Sequence, residues 1–213
     1  MSELADKLAG RFIVIDGPDG AGKSTQLKLL GEHLRQEGAA VCQTRDPGGT
    51  VIGNEIRRLL LDNSHTDMTV GCEILLYMAS RTQLMGEVIA PAIERGECVL
   101  CDRWVSSTVA YQVAERKADA DEVIKAYKLA LRDTWPDLTV ILDVSAEAGL
   151  ERLTGPPDRI EAKGLEFHRE VRRLFLEQAT TNPKGFCVVD ASGSVDQTQR
   201  RLRKVVETWN WRR

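Results

Sequence analysis

Apolar positions along this chain follow two rhythms. Short, mainly apolar runs, Phe12-Ile-Val-Ile15, Cys98-Val-Leu-Cys101 and Leu138 through Val144, suit strands buried on both faces, because a strand with one wet face would alternate. Ala40 to Thr44 and Phe186 to Val189 are weaker examples. Between the runs, apolar residues recur every three or four positions. Leu27, Leu30 and Leu34 predict a helix that Gly38 stops, and Ile56, Leu59 and Leu60 predict one after the Gly48-Gly49 turn. Val70 to Glu94 reads as one long helix kinked near Pro91. Val123, Ile124, Tyr127 and Leu131 form the stripe of a helix starting near Asp119. Another begins near Ser145 and gives way at Thr154-Gly-Pro-Pro157, and a further one covers about Gly164 to Ala179. Ser194 and Gln197 make a capping box for a final helix with Val195, Leu202, Val205, Val206 and Trp209 on one face.

Continuous apolar strands alternating with helices predict a three-layer α/β fold: a five-stranded parallel sheet flanked by helices. No repeat, low-complexity tract or break in composition divides the chain, so residues 1–213 read as a single domain. Ligands of such sheets gather beyond the carboxyl ends of the strands. Asp16, Arg45 and Asp102 all fall at those ends.

Composition narrows the options. The 213 residues are 42% hydrophobic and 29% charged, enough for a core without staples. A formal net charge of −3 gives no bulk attraction to nucleic acid or to an anionic membrane, so any bound phosphate must be held by locally placed cations. No stretch approaches the ~18 apolar residues of a membrane span. MSELADKLAGR mixes both charge signs and lacks an apolar segment, which predicts no secretory leader. Cys42, Cys72, Cys98, Cys101 and Cys187 are odd in number, which predicts reduced thiols and a cytoplasmic protein. Strand alternation sends Cys98 and Cys101 to opposite faces, and no second CxxC or nearby His completes a zinc set. His33, His65 and His168 are scattered; each is expected on the solvated surface without a role.

One segment carries chemistry by itself. Gly17-Pro18-Asp19-Gly20-Ala21-Gly22-Lys23-Ser24 fits G-x-x-x-x-G-K-[ST] between a buried strand and an amphipathic helix, with Thr25 next. Its glycines let backbone N–H groups converge on phosphate oxygens, and the helix aims its positive end at the same anion. Lys23 is expected on the β and γ phosphates of a nucleotide and the Ser24 hydroxyl on Mg²⁺. Asp46-Pro-Gly-Gly49 also fits the DxxG of a GTPase switch, but no N/T-K-x-D guanine reader occurs in the chain.

Beyond the P-loop, five further segments in order resemble the thymidylate kinase family. Thr44-Arg45-Asp46-Pro47-Gly48-Gly49-Thr50 resembles T-R-E-P-G-G-T, and Glu73 to Arg81 resembles E-x-L-L-F-x-A-x-R. Asp102 to Gln112 resembles D-R-Y-x-x-S-[ST]-x-A-Y-Q, Pro136 to Val144 resembles P-D-L-T-[ILV]-x-L-D-V, and Asp158-Arg159-Ile160-Glu161 is similar to D-R-I-E. The resemblance implies transfer of the γ-phosphoryl of ATP to dTMP, with Mg²⁺, by a homodimer. It places Arg45 and Arg103 on the acceptor phosphate, Tyr77 stacked on thymine, Arg81 on a thymine carbonyl, Thr108 and Gln112 in the base pocket and Tyr111 against the sugar. It gives Asp19 a role in positioning the acceptor or its metal-bound water, and Asp102 that of a Walker B-like metal residue. Surface ion pairs remain the competing reading for Arg45 and Arg81, and a turn former for Asp19.

The chain also departs from the family pattern. Gly20 stands where some members carry an arginine, so arginines from a lid at about 151–161 are expected to serve. That lid holds only Arg152 and Arg159; Arg152 is expected on the transferring phosphoryl group. Asp16 and Asp46 replace glutamates, Trp104 replaces a tyrosine, and Val113-Ala-Glu-Arg116 replaces a Gly-rich stretch. A kinase for another nucleoside monophosphate, and a nucleotide-binding regulatory domain without activity, are the alternatives.

Overall fold

The computed structural model describes residues 2–115, 119–132 and 134–211. Its elements run α1 (Glu3–Leu8), β1 (Phe12–Asp16), α2 (Lys23–Gln36), β2 (Val41–Arg45), α3 (Val51–Leu61), α4 (Val70–Leu84), α5 (Ala90–Glu94), β3 (Cys98–Asp102), α6 (Val105–Ala114), α7 (Ala120–Leu131), β4 (Leu138–Asp143), α8 (Ala146–Glu151), α9 (Leu165–Thr181), β5 (Phe186–Asp190) and α10 (Val195–Thr208). The five strands form one all-parallel sheet in the order β2-β3-β1-β4-β5.

Side-chain alternation along the strands builds the two cores. Ile13, Ile15, Cys98, Leu100, Val140 and Leu142 pack with Leu27, Leu30 and Leu34 of α2 and with Leu202 and Val206 of α10. Phe12, Val14, Val99 and Cys101 point the other way, against Met78 of α4, Trp104, and Val123 and Tyr127 of α7. Cys98 and Cys101 therefore belong to opposite cores, as the strand period requires. A third cluster joins Tyr111 of α6 to Val171, Leu174 and Phe175 of α9.

Three expectations change. The helix from Val70 is interrupted by a π-helical turn over Met85–Ile89, and Pro91 falls in the first turn of α5, where its missing N–H leaves no bond unmade. Val195 opens α10 but is 50% exposed; the buried face of that helix is carried by Leu202 and Val206. Helix α6, absent from the sequence pattern, is buried over all of Val105–Gln112, so it shows no polar face from which a helical period could be read. Of the departing segment at 113–116, Arg116 lies outside the described residues.

Register then sets the site. Ile15 pairs with Asp102, and Asp102 pairs with Arg45, so β2 and β3 end on one row and β1 runs one residue past it. The loop after β1 and the loop after β3 leave from adjacent points, and Asp16 and Asp102 both reach the sheet rim.

Candidate active site

A cleft of about 360 Å³ opens over that rim. Its walls come from the P-loop (Asp19, Gly20, Gly22, Lys23, Ser24, Thr25), from the tip of β2 and α3 (Arg45, Asp46, Arg57), from α4 (Tyr77, Arg81), from β3 and α6 (Asp102, Arg103, Thr108, Tyr111, Gln112) and from the segment after α8 (Leu153, Asp158, Ile160, Glu161). Residues assigned to donor and acceptor thus line one space.

Local backbone geometry explains the P-loop. Gly20 has φ +71°, and a Cβ there would fall inside the backbone of Gly149 in α8, so no side chain fits the fourth loop position. Gly22 caps α2 with φ +84°. Gly17, Pro18 and Ala21 form the back of the loop. The Lys23 ammonium folds over it, donating to the Gly17 carbonyl at 3.1 Å and the Pro18 carbonyl at 2.7 Å. Burial, reinforced by nearby Arg103, pulls its pKa down from 10.5 to about 8.

Arg103 is the hub. It adopts φ +70°, a conformation that costs a non-glycine residue about 1–3 kcal/mol and is held only by its surroundings. Its backbone N–H donates to the Ile15 carbonyl at 3.0 Å. Its guanidinium donates to the Gly17 carbonyl at 3.1 Å and to Ser107 Oγ at 2.9 Å, forms a short ion pair with Asp19 Oδ1 and lies 5.3 Å over the Tyr111 ring. Tyr111 completes the clamp by donating its hydroxyl to Asp19 Oδ2 at 2.7 Å. Burial works against the Asp19 charge, but Arg103, Lys23 and the Tyr111 bond outweigh it and hold the carboxyl below its ordinary value.

Asp16 anchors this arrangement from beneath. Fully buried, it accepts from Ser106 Oγ at 2.5 Å, Ser107 Oγ at 2.7 Å and the Gly17 N–H at 2.9 Å. Ser24 Oγ donates to Asp102 Oδ2 at 2.5 Å at the cleft mouth. Among the described residues, no group of three or more His, Cys, Asp and Glu side chains could hold a metal. A hydroxyl and one carboxylate nevertheless fit Mg²⁺, which takes hard oxygen ligands, keeps several waters and shares substrate phosphates.

On the α4 side of the cleft, Arg81 is 1% exposed and pairs with Asp46 Oδ2 at 2.5 Å, donates to Thr108 Oγ1 at 3.0 Å and lies 5.3 Å over the Trp104 ring. Burial raises the Asp46 pKa even against Arg81. Trp104 itself is a core residue, its indole N–H donating to Tyr127 at 3.0 Å. Asp46 Oδ1 and Gln112 Oε1 are buried acceptors without a partner among the described residues, and both belong to side chains on the cleft.

Arg152 stands apart from this assembly. Its guanidinium donates to the Ala191 and Ser192 carbonyls at 3.0 and 3.3 Å, and it is not among the cleft-lining residues. Arg159, the other lid arginine, donates to the Leu60 carbonyl and forms a short ion pair with Glu73.

Two residues carry signals that sequence reasoning passed over. Arg57 lines the cleft, and its pKa is lowered by burial and then by Arg45 and Arg103, the signature of cations crowded in one place. No motif marks it; only its position on α3 does. His168, expected in solvent, is 2% exposed, with Nδ1 4.0 Å from Asp19 Oδ2. It precedes Val171 by three positions and Phe175 by seven, so it shares the buried face of α9.

The comparisons agree with this geometry. A family profile described as thymidylate kinase matches residues 15–202. The chain is 43% identical over 201 residues to a thymidylate kinase of Pelobacter propionicus, covering 91% of this chain and 92% of that protein. It is 44% identical over 195 residues to one from Deinococcus radiodurans, covering 91% and 94%. The crystal structure of thymidylate kinase from Ehrlichia chaffeensis superposes with a TM-score of 0.78 at 28% identity, over 94% of this chain and 100% of that one. On the fold, the cleft and these likenesses together, the chain belongs to the thymidylate kinase family.

Proposed function

We propose that this protein transfers the γ-phosphoryl group of ATP to dTMP, giving dTDP and ADP, as one domain over residues 1–213. The observation that carries the reading is the crowding of Arg45, Arg57 and Arg103 in the same cleft as the P-loop lysine. Like charges gather this way where a second anion is to be bound.

The acceptor phosphate has a second pKa of about 6, so its oxygen is anionic at neutral pH and no general base is needed. The work is to bring two anions into line and to neutralise them. The P-loop from Gly17 to Thr25 cradles the donor phosphates, with Lys23 leaving the Gly17 and Pro18 carbonyls for the polyphosphate. Ser24 and Asp102 would hold Mg²⁺, which would screen the phosphate charge. Arg103 and Arg45 grip the acceptor phosphate, while Asp19 steers the acceptor from the P-loop. Tyr77, Arg81, Thr108 and Gln112 take the base and Tyr111 the sugar. Arg152 reaches the transferring phosphoryl only by exchanging its Ala191 and Ser192 contacts for it.

A coupled assay with ATP and Mg²⁺ across nucleoside monophosphates tests the reading: dTMP should be the preferred acceptor. ATP binding without turnover on any monophosphate would favour a regulatory domain instead. We further propose a cytoplasmic homodimer. Val51, Ile52 and Leu59 of α3 and Leu75 of α4 are exposed and supply an apolar surface, and no helix among the described residues is long and apolar enough to cross a membrane. Light scattering on the eluting protein reads the oligomeric state.

A further inference from the structure

Glu73, one turn before Tyr77 on α4, is 2% exposed and joins Gln112 of the cleft to Arg159 of the lid segment without itself lining the cleft. Its Oε2 accepts from Gln112 Nε2 at 2.9 Å. Its Oε1 accepts from the guanidinium of Arg159, which also donates to the Leu60 carbonyl at 2.9 Å. A carboxylate only accepts, so it decides which end of the Gln112 amide faces it. The nitrogen is captured, and Oε1 is left as a buried acceptor with no partner among the described residues, on a side chain that lines the cleft. Buried acceptors are rarely left unpaired, and on a side chain that lines the cleft a ligand donor can complete one.

We infer that Glu73 is a positioning residue for base selection: by holding the Gln112 nitrogen it presents the Gln112 oxygen to a base that carries an N–H on the facing edge. This rests on the acceptor pocket proposed above. A thymine or uracil ring offers N3–H to that oxygen. Cytosine offers a lone pair at N3, which meets the oxygen as acceptor against acceptor. Arg159 extends the device into the lid, because the ion pair that docks the lid on α4 also fixes the carboxylate that fixes the amide.

The geometry gives a directional test. In Glu73→Gln only one acceptor oxygen remains, and the Arg159 guanidinium, which has no other carboxylate in contact among the described residues, takes it. The new amide nitrogen then faces Gln112, whose amide must rotate and turn its own N–H toward the base. With ATP as donor, the ratio of kcat/KM for dTMP over dCMP should fall about tenfold or more, dUMP following dTMP, with the KM for ATP unchanged. Adding Arg159→Met to Glu73→Gln frees the oxygen of the substituted amide to face Gln112 and should restore most of the ratio. Parallel loss for both nucleotides, an unaltered ratio in the folded variant, or no recovery in the double variant overturns the inference. Wild-type protein that phosphorylates dTMP and dCMP alike overturns it too while leaving the kinase reading intact; wild type inactive on every monophosphate removes both. Should Glu73→Gln fail to fold, a crystal structure of the wild type with dTMP decides. Gln112 Oε1 on N3 with Nε2 on Glu73 supports the inference, and Nε2 on the base overturns it.

Discussion

Tyr111 donates its hydroxyl to Asp19 Oδ2 at 2.7 Å, tying a helix that follows β3 to a loop that follows β1. The bond shares its acceptor carboxylate with Arg103, so removing it loosens one side of the P-loop acid without unpairing it. Tyr111→Phe keeps the ring against Phe175 and loses the charge-assisted bond, worth about 1.5–3 kcal/mol, together with a longer contact from Arg103 at 3.4 Å. We expect kcat to fall roughly tenfold or more with dTMP, and the KM for ATP to move less than that for dTMP. An equal rise in both KM values would show that the hydroxyl supports the donor side as well.

Lys23→Ala should abolish transfer while leaving the fold, read by the coupled assay alongside circular dichroism. The same lysine has a pH signature in the unliganded protein. Its folded pKa of about 8 lies below the unfolded 10.5, so between these values the unfolded chain binds more protons. Stability referred to Lys23→Ala should therefore rise as pH climbs from about 8 to 10.5, and stay level below 8. Melting curves of both proteins across that window check it; a difference that falls with pH contradicts the sign.

Arg81, the proposed base reader, is half of a buried ion pair with Asp46. Arg81→Ala should raise the KM for dTMP far more than that for ATP. It should also cost about 3–5 kcal/mol of stability, since it leaves a buried carboxylate alone. Arg81→Met with Asp46→Asn removes both charges and should recover most of the melting temperature but none of the dTMP affinity. Denaturant melts and kinetics separate the two effects.

His168→Ala should open a cavity beside Asp19 and destabilise by about 1–3 kcal/mol. His168→Asn, which keeps a polar group there, should recover part of the loss. A fully stable His168→Ala would place that ring outside the core.

The sheet, the P-loop and the strand-tip residues were legible because each leaves a local trace: mainly apolar runs, a glycine spacing, a charged residue at the end of a run. Arg57 leaves none, because its importance arises only where α3 meets the cleft. Glu73 opens a motif visible in the sequence, but its pairing with Gln112 and Arg159 is visible only in the fold. Helix α6 was hidden by its own burial, a uniformly buried helix having no period to detect. His168 was legible in principle, standing three residues before Val171 and seven before Phe175, the spacing that puts it on their face of the helix. Arg152 shows the opposite failure. A lid sequence supplies an arginine, but only the fold shows its guanidinium occupied by the carbonyls after β5.

The common row of Ile15, Asp102 and Arg45 limits how this protein can change. Losing one residue from the five of β3 would draw its tip back by about 3.3 Å and turn Asp102 through to the opposite side of the sheet. Loops around the cleft can lengthen or swap residues at little expense, whereas strand lengths are set to within a single peptide. Insertions and deletions among descendants of this chain should therefore collect in the connections and spare β1, β2 and β3.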